Sequence, residues 1–380
     1  MQIVADENIP LLDQFFSEFG DIVRVPGRTM TAADVADADI LIVRSVTQVN
    51  EQLLAGSKVK FVGTATIGTD HIDLDYLEKA GIGFRSAPGC NAQAVVDYVL
   101  SALSVLVDSR GIAFTELSVG IVGLGNVGLL LRNRLEEMDV EVIGVDPFKD
   151  PEDVGVLSSF EEALSADVVT FHTPMTKSGD HPTWHMLNAE TLAKMKPDAC
   201  LINAARGAVV DNAALLEHLK ANDDFSAILD VWEGEPEINT ELLDYCWLGT
   251  PHIAGYSLDG KMRGTEMVYH GVCEFFGLPI RCKLAQFLPE PGIKRVNFTE
   301  QAPVHQALRT AIRAAYEIRV DDGVLRSAMR RSKNLRETFD RLRKEYPLRR
   351  DTPTLRVGVP ARAHDLMDAL TSAGFDVRTK

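Results

Sequence analysis

Three polar side chains have the types needed to move a proton and to hold an organic acid. Arg206, Glu235 and His252 each stand just past a segment that predicts a strand. A neutral histidine is a suitable base near pH 7, and a buried carboxylate beside it fixes its tautomer and raises its pKa as the proton arrives. An arginine pairs with a carboxylate through two parallel hydrogen bonds. The set suits oxidation of a 2-hydroxy acid, in which the hydroxyl proton goes to the histidine.

A glycine-rich turn earlier in the chain could hold the hydride acceptor that such an oxidation requires. Gly123, Gly125 and Gly128 form the pattern G-x-G-x-x-G between a predicted strand and a helical pattern. The first glycine permits a tight turn, the second lets the backbone approach a pyrophosphate, and the third lets helix and strand pack closely. Asp146 ends the next predicted strand, where a carboxylate bonds to ribose hydroxyls and repels a 2′-phosphate. The turn therefore predicts NAD as the cofactor.

The elements that must position these residues follow from the spacing of apolar runs. Short apolar runs alternate with helical patterns, which predicts parallel sheets built from β-α-β units. The predicted strands of the first series are 2–5, 22–25, 40–43, 60–63 and 82–84, and those of the second are 117–123, 140–145, 168–171, 200–203 and 225–229. Because ligands bind beyond the carboxyl ends of such strands, we expect Arg206, Glu235 and His252 to share one crevice.

The last 90 residues differ in charge and in pattern. Residues 291–380 carry 19 Lys/Arg and 11 Asp/Glu, a net +8, whereas the preceding 290 residues carry 20 and 44, a net −24. The change follows the Pro- and Gly-containing segment 288–292, which marks a domain boundary. Helical patterns over 304–319 and 324–345, a strand at 354–359, a helix at 364–373 and a strand at 375–378 predict a small α+β module, here called the tail.

Composition bounds the class of protein. The chain has 380 residues, a net charge of −16 and 46% hydrophobic residues, which is ordinary for a globular protein of two or three domains. An acidic surface argues against nucleic acid and anionic membrane as partners. The five cysteines are scattered without paired spacing, so we expect reduced thiols, a cytoplasmic location and no metal site.

These motifs, in this order, resemble the D-isomer-specific 2-hydroxyacid dehydrogenases over about residues 1–285. The resemblance implies that Arg206 binds substrate and that Glu235 and His252 form the acid–base pair. The residues that match family positions at the NAD site are Gly123, Gly125, Asn126, Val127, Gly128, Asp146, Thr173, Ala204, Ala205, Arg206, Asp230 and Gly255. The implied fold class is α/β, with two Rossmann-like parallel-sheet domains, the first discontinuous, and a C-terminal α+β dimerisation module. The implied bounds are 1–92 with 262–288 for substrate binding, 93–261 for NAD and 289–380 for dimerisation.

Departures from the common family pattern narrow the range of substrates that the sequence suggests. Thr64 and Thr66 place hydroxyls in a loop that is usually rich in glycine, and Tyr256 stands where many relatives have a small residue. Together with the tail, these variants resemble members that act on a small phosphorylated 2-hydroxy acid. The resemblance implies that Ser45, Thr66 and Tyr256 contact the substrate. Nearby cations that could bind its phosphate are Arg44, Lys261 and Arg263.

Two alternatives remain at this stage. One is another dehydrogenase of the family, 3-phosphoglycerate dehydrogenase above all, although its regulatory tails usually have a β-α-β-β-α-β pattern. The other is a non-catalytic, NAD-sensing corepressor-like protein, which can retain the same three polar residues. For the tail we favour self-association into a homodimer over nucleic-acid binding, because its basic residues alternate with apolar residues at helical spacings.

Overall fold

The computed structural model describes all 380 residues and has three sheets in which every strand pair is parallel. The strands are β1 (Gln2–Asp6), β2 (Asp21–Val25), β3 (Ile40–Val43), β4 (Phe61–Thr64), β5 (Gly83–Arg85), β6 (Ser118–Val122), β7 (Glu141–Val145), β8 (Val168–Phe171), β9 (Cys200–Asn203), β10 (Ser226–Leu229), β11 (Leu248–Gly249), β12 (Arg295–Asn297), β13 (Arg356–Val359) and β14 (Asp376–Thr379). The helices are α1 (Leu12–Phe16), α2 (Ala32–Val35), α3 (Glu51–Leu54), α4 (Leu74–Lys79), α5 (Ala92–Arg110), α6 (Asn126–Glu137), α7 (Pro151–Val154), α8 (Phe160–Leu164), α9 (Ala189–Leu192), α10 (Asn212–Ala221), α11 (Thr240–Tyr245), α12 (Leu258–Phe276), α13 (Val304–Ala315), α14 (Ile318–Arg331), α15 (Leu335–Lys344) and α16 (His364–Ser372).

The first compact unit comprises residues Met1–Asn91 and Ser257–Glu290, so its chain is discontinuous. Its sheet has the order β2-β1-β3-β4-β5. The central strand β3 is Ile-Leu-Ile-Val with every residue buried, because helices cover both faces of a parallel sheet. Helix α12 returns to this sheet and packs closely on β4, where a Cβ on Gly63 would lie 2.3 Å from Val268 Cγ1.

The second compact unit comprises Ala92–Tyr256 and Pro291–Lys380. Its main sheet has the order β11-β10-β9-β8-β6-β7, so the chain leaves β6 for β7 on one side and reaches β8 on the other. A crevice forms beyond the carboxyl ends of strands at such a reversal, and this is where open parallel sheets bind ligands. The predicted α/β fold class is confirmed. The tail belongs to this unit by its contacts, while the finer division into 1–92 with 262–288, 93–261 and 289–380 stays a prediction.

Helix α5 is the central core helix of the second unit. By length and composition it could cross a membrane, but 83% of its most apolar window is buried inside the protein. Its Tyr98 hydroxyl lies 2.9 Å from Thr250 Oγ1, and its Ser101 hydroxyl donates to the Tyr316 carbonyl at 2.9 Å. Such a buried helix is weak evidence for a membrane span.

The tail contains three consecutive helices where the sequence pattern indicated two. The helical structure is interrupted at Tyr316, after α13, and again at residues 332–334, between α14 and α15. At the first break, Ser101 of α5 supplies the backbone with hydrogen bonds. Its Oγ donates to the Tyr316 carbonyl and also accepts from the Ile318 N–H at 3.1 Å. The prediction of one helix over 304–319 was wrong at its end, where the backbone bonds to Ser101, a residue 217 positions before Ile318 in the chain. Strand β12 was also missed.

Candidate active site

Glu235 and His252 form a hydrogen-bonded pair in the second unit. His252 Nδ1 lies 2.7 Å from Glu235 Oε2, while the Trp232 N–H donates to Glu235 Oε1 at 2.7 Å. Burial raises the pKa of Glu235, but the neighbouring His252, the Trp232 N–H and Arg343 together hold it below its ordinary value. The carboxylate therefore stays charged and fixes the imidazole with its other nitrogen, Nε2, available for a proton.

The segment that carries Arg206 is pressed against the loop that carries Glu235. Gly207 lies so close to this loop that an added Cβ would be 2.0 Å from the Trp232 carbonyl oxygen and 2.6 Å from the Glu233 nitrogen. The side-chain amide of Asn203, at the end of β9, holds the next residues in place. Its Oδ1 accepts from the Ala205 N–H, and its Nδ2 donates to the Arg206 carbonyl. The structure thus brings the backbone of Arg206 beside the Glu235 loop, as the sequence predicted for strand ends of one sheet.

Asp230 is buried and holds the loop that carries His252. Its Oδ1 accepts from the Thr250 hydroxyl and the Ile253 N–H, each at 2.7 Å, and its Oδ2 accepts from the Ala254 N–H at 2.9 Å. The backbone of His252 takes a left-handed conformation, with φ of 57°, and donates to the Asp230 carbonyl. These bonds stabilise a backbone conformation that a histidine rarely adopts. The His252 side chain lies at the strand ends and is one-third exposed.

The glycine turn between β6 and α6 has the shape that a pyrophosphate needs. Gly123 has φ of +95°, and a Cβ on Gly128 would lie 1.8 Å from the Gly123 carbonyl oxygen, so neither position accepts a side chain. An added Cβ on Gly125 would meet nothing within 4 Å. The open space therefore lies at the N-terminus of α6, which begins at Asn126 with Val127 following, where free N–H groups favour an anion.

Two further NAD-site predictions lie around this turn. Asp146 is at the end of β7, and its Oδ2 accepts from the Leu124 N–H of the turn at 2.9 Å. Thr173 follows β8, and its Oγ1 is buried without a hydrogen-bond partner. A buried hydroxyl without a partner is costly, so a polar group of a bound ligand would satisfy it. The remaining predicted cofactor residues lie on the loops after β9 and β11: Ala204, Ala205 and Gly255.

The first unit holds two of the predicted substrate contacts on loops after its strands. Ser45 is exposed after β3. Thr66 follows β4, and its hydroxyl lies 2.7 Å from Thr64 Oγ1 and donates to the Gly68 carbonyl at 3.2 Å. Thr64 in turn contacts the Nε2 of His71 at 3.0 Å. This chain of hydroxyls orients Thr66.

The three cations predicted to bind the phosphate also lie in the first unit. Arg44 Nε lies 3.2 Å from Oδ1 of the buried Asp6. Arg263 donates to the Cys90 carbonyl. Lys261 and Arg263 are both on the first turns of α12, which Ser257 caps by accepting from the Gly260 N–H at 2.9 Å. Their roles toward a phosphate stay predictions.

The structure also adds residues that the sequence reasoning missed. Trp232 is a buried core residue whose backbone N–H also orients Glu235. Arg343 of the tail lies 5.5 Å, measured from its Cζ, from the ring centre of Tyr256. A helical arginine in a basic segment has no sequence signal that separates it from its exposed neighbours.

His185 lies in the loop between β8 and α9, beside two carboxylates. Its Nε2 lies 2.8 Å from Glu233 Oε1, and ligand atoms of His185, Asp211 and Glu233 lie within 4.8 Å of one another. Asp211 caps α10, and Asn212 exchanges hydrogen bonds with Glu233. These contacts hold the loop between Trp232 and Glu235 in place. His172, beside β8, has its pKa lowered to about 4 by burial, as suits a neutral structural histidine.

Comparison with known proteins shows the family to which the chain belongs. Residues 106–254 match the NAD-binding domain of the D-isomer specific 2-hydroxyacid dehydrogenases, and residues 287–374 match a domain of unknown function. The chain belongs to the D-isomer specific 2-hydroxyacid dehydrogenase family, and it is an NAD-dependent oxidoreductase. Both the predicted enzyme class and the predicted cofactor are confirmed.

Within that family, the chain is similar over its full length to erythronate-4-phosphate dehydrogenases. The one from Marinobacter nauticus is 52% identical, and the one from Hahella chejuensis 47% identical, each with 100% of both chains covered. The resemblance that Thr66, Tyr256 and the tail indicate is therefore to this enzyme, and it is confirmed. The D-lactate dehydrogenase of Aquifex aeolicus, solved with NAD and lactic acid, shares the fold with a TM-score of 0.61 at 24% identity, covering 73% of this chain and 96% of its own.

Proposed function

We propose that this protein oxidises 4-phospho-D-erythronate to 2-oxo-3-hydroxy-4-phosphobutanoate with NAD, as a step of pyridoxal 5′-phosphate (vitamin B6) biosynthesis. The observation that carries the proposal is the 2.7 Å contact between His252 Nδ1 and Glu235 Oε2, in a chain whose full-length relatives bear the name erythronate-4-phosphate dehydrogenase. The cytoplasm is the proposed location, in keeping with five free cysteines.

The mechanism follows from the residues of the second unit. Arg206 would bind the C1 carboxylate through its planar fork and so orient the C2 hydroxyl. His252 Nε2 would take the proton from that hydroxyl, while Glu235 stabilises the imidazolium that forms. NAD, when bound, supplies the acceptor for the C2 hydride.

The glycine turn would hold the cofactor. The open space at Gly125, the N-terminus of α6 and the Thr173 hydroxyl without a partner all suit a dinucleotide. Asp146 would bond to the adenosine ribose hydroxyls, which favours NAD over NADP. Val127, Ala204, Ala205 and Gly255 would line the same site through their backbone.

Binding of the remaining substrate groups is assigned to hydroxyls and cations. Ser45, Thr66 and Tyr256 would contact the hydroxylated chain of the acid, and Arg44, Lys261 and Arg263 are candidates for its phosphate. The tail is proposed to form a homodimer, because its net charge of +8 complements the −24 of residues 1–290.

The test is turnover of three acids by the purified protein with NAD. We expect kcat/KM for 4-phosphoerythronate to exceed the values for 3-phosphoglycerate and unphosphorylated erythronate by about 100-fold or more, the scale of a lost charge-assisted contact. A preference for 3-phosphoglycerate would assign the protein to the alternative dehydrogenase. Tight NAD binding without turnover of any of the three acids would contradict the proposal.

A further inference from the structure

We propose that Arg343 binds the phosphate of the substrate, so that the tail supplies part of the substrate site of the second unit. The proposal rests on the function proposed above, because it requires a substrate with a second anionic group besides its carboxylate. It adds a residue from the domain of unknown function, which lies outside the matched NAD-binding domain.

Helix α15 places Arg343 on the side that faces the body of the second unit. Phe339 of this helix is fully buried in a core cluster with Leu325 and Met329 of α14 and with residues of β8, β9 and β10. Residues four positions apart lie on the same side of a helix, so Arg343 follows Phe339 one turn later on that inward side. Leu335 and Leu342 pack against the same cluster. An arginine therefore occupies an inward position that packing alone would give to an apolar residue.

The neighbours of Arg343 belong to the candidate active site. Its Cζ lies 5.5 Å from the ring centre of Tyr256, a distance at which a cation attracts an aromatic face. Tyr256 is four residues after His252 and is itself a predicted substrate contact. The positive charge of Arg343 is also near enough to Glu235 to help lower the pKa of that carboxyl, as a smaller contribution than those of His252 and the Trp232 N–H.

The hydrogen bonds of Arg343 differ from those of Arg326, an arginine with a structural task in the same tail. Arg326 donates from Nε to Asp322 at 2.8 Å and from its two terminal nitrogens to the Leu243 and Cys246 carbonyls at 2.6 and 2.7 Å. These bonds tie α14 to the end of α11. Arg343 instead lies beside the Tyr256 side chain, and its Nε is buried without a hydrogen-bond partner. A buried donor without a partner is costly, and an anionic ligand would satisfy it.

The chemistry of the guanidinium then favours phosphate as the ligand. Arginine presents a planar set of donors that matches the oxygens of a phosphate, and it keeps its charge at any physiological pH. In the proposed mechanism Arg206 holds the carboxylate at one end of the acid. Arg343 is a second arginine of the same unit, and it is available for the phosphate at the other end. It comes from the one basic segment of an otherwise acidic chain.

The experiment measures kcat and KM of full-length Arg343→Met and Arg343→Lys with 4-phosphoerythronate and with unphosphorylated erythronate. Arg341→Met is the matched control, because Arg341 is exposed on the same helix and makes only a 3.9 Å ion pair with Glu345. We expect Arg343→Met to raise KM for 4-phosphoerythronate by about 10- to 100-fold, with kcat/KM for erythronate changed less than about threefold. Inhibition by inorganic phosphate should weaken in parallel, and Arg343→Lys should recover part of the loss.

The outcomes separate this inference from the proposed function. If the wild-type protein does not oxidise 4-phosphoerythronate, the proposed function fails, and the inference fails with it. If the wild type is active and Arg343→Met loses activity equally with both acids, Arg343 positions Tyr256 or Glu235 and the inference is overturned. An unchanged KM in Arg343→Met overturns it as well. If Arg343→Met misfolds and loses NAD affinity, the inhibition constants of inorganic phosphate for the wild type and for Arg343→Lys are compared instead. The two constants must differ if Arg343 binds phosphate, and equal constants overturn the inference.

Discussion

The two large sheets of this protein have the same parallel architecture, yet the loops at their carboxyl ends carry different chemistry. In the second unit these loops hold the hydrogen-bonded pair of Glu235 and His252, with Glu235 fixed by the Trp232 N–H and the His252 loop fixed by Asp230. In the first unit they hold hydroxyls that bond to one another, such as Thr64 with Thr66, and an arginine against Asp6. In the proposed mechanism the second unit carries out the proton transfer, and the first is assigned only binding contacts. We therefore expect a large loss of kcat only when the Glu235–His252 pair of the second unit is changed, whereas changes to proposed binding contacts in either unit should mainly raise KM.

The largest expected effect is that of His252→Ala. Removal of the base should lower kcat by about 10² to 10⁴, because general base catalysis contributes a factor of that size. NAD affinity, measured by fluorescence titration, should stay close to that of the wild type. His305→Ala, which changes an exposed histidine of the tail, is the control. Turnover near the wild-type rate in His252→Ala would remove the proton-transfer role from the second unit.

Arg206→Lys tests the substrate end of the same unit. A lysine keeps the charge but cannot form two parallel hydrogen bonds to a carboxylate. We expect KM for the hydroxy acid to rise by about 10- to 100-fold, the value of a charge-assisted hydrogen bond. Lys220 is exposed near the end of α10, where it pairs with Glu217 and Glu241, and Lys220→Arg should leave KM unchanged. A flat KM in Arg206→Lys would mean that another group binds the carboxylate.

Gly207→Ala tests whether the Arg206 segment and the Glu235 loop must touch. The added methyl group would meet the Trp232 carbonyl at 2.0 Å, so the two loops must separate. We expect the free energy of unfolding to fall by about 1–3 kcal/mol, as for other overpacked sites, with a loss of kcat. Gly323→Ala is the matched control, since a methyl group there meets nothing within 4 Å. Equal stability and activity of the two variants would show that the contact is dispensable.

The smallest effect is expected in the first unit. Thr66→Val removes one hydroxyl from the chain that includes Thr64 and His71. KM for the phosphorylated acid should rise by about three- to tenfold, the value of one neutral hydrogen bond, with kcat nearly constant. Thr29→Val, at an exposed position of the same unit, is the control. A drop in kcat as large as that of His252→Ala would contradict the division of labour between the two units.

Much of this architecture could be predicted from the sequence because buried parallel strands are continuous apolar runs. The predicted strands at 40–43, 168–171 and 200–203 match β3, β8 and β9 residue for residue. Strands β4 and β5 were displaced by one residue. The glycine turn was recognisable because its chemistry depends on missing side chains at fixed spacing, which a sequence displays directly.

Other features could not be predicted because they depend on partners far away in the chain. Asp230 was assigned to the NAD site from the family pattern, and its bonds to Thr250, Ile253 and Ala254 become visible only when β10 and the loop after β11 are adjacent. The break at Tyr316 depends on Ser101 in the same way. The sequence likewise could not distinguish Arg343 from the other basic residues of the tail.

The sequence alone determined the class of fold, the cofactor turn and the identity of the three residues that suit hydride-transfer chemistry, because periodicity, glycine spacing and side-chain type are local properties. The tertiary structure decided which of the polar residues act as a pair, which carboxylate braces a loop, and which of the tail's arginines faces inward beside Tyr256. These properties depend on distances between residues that the chain separates by tens or hundreds of positions, and only packing of the sheets and helices sets those distances.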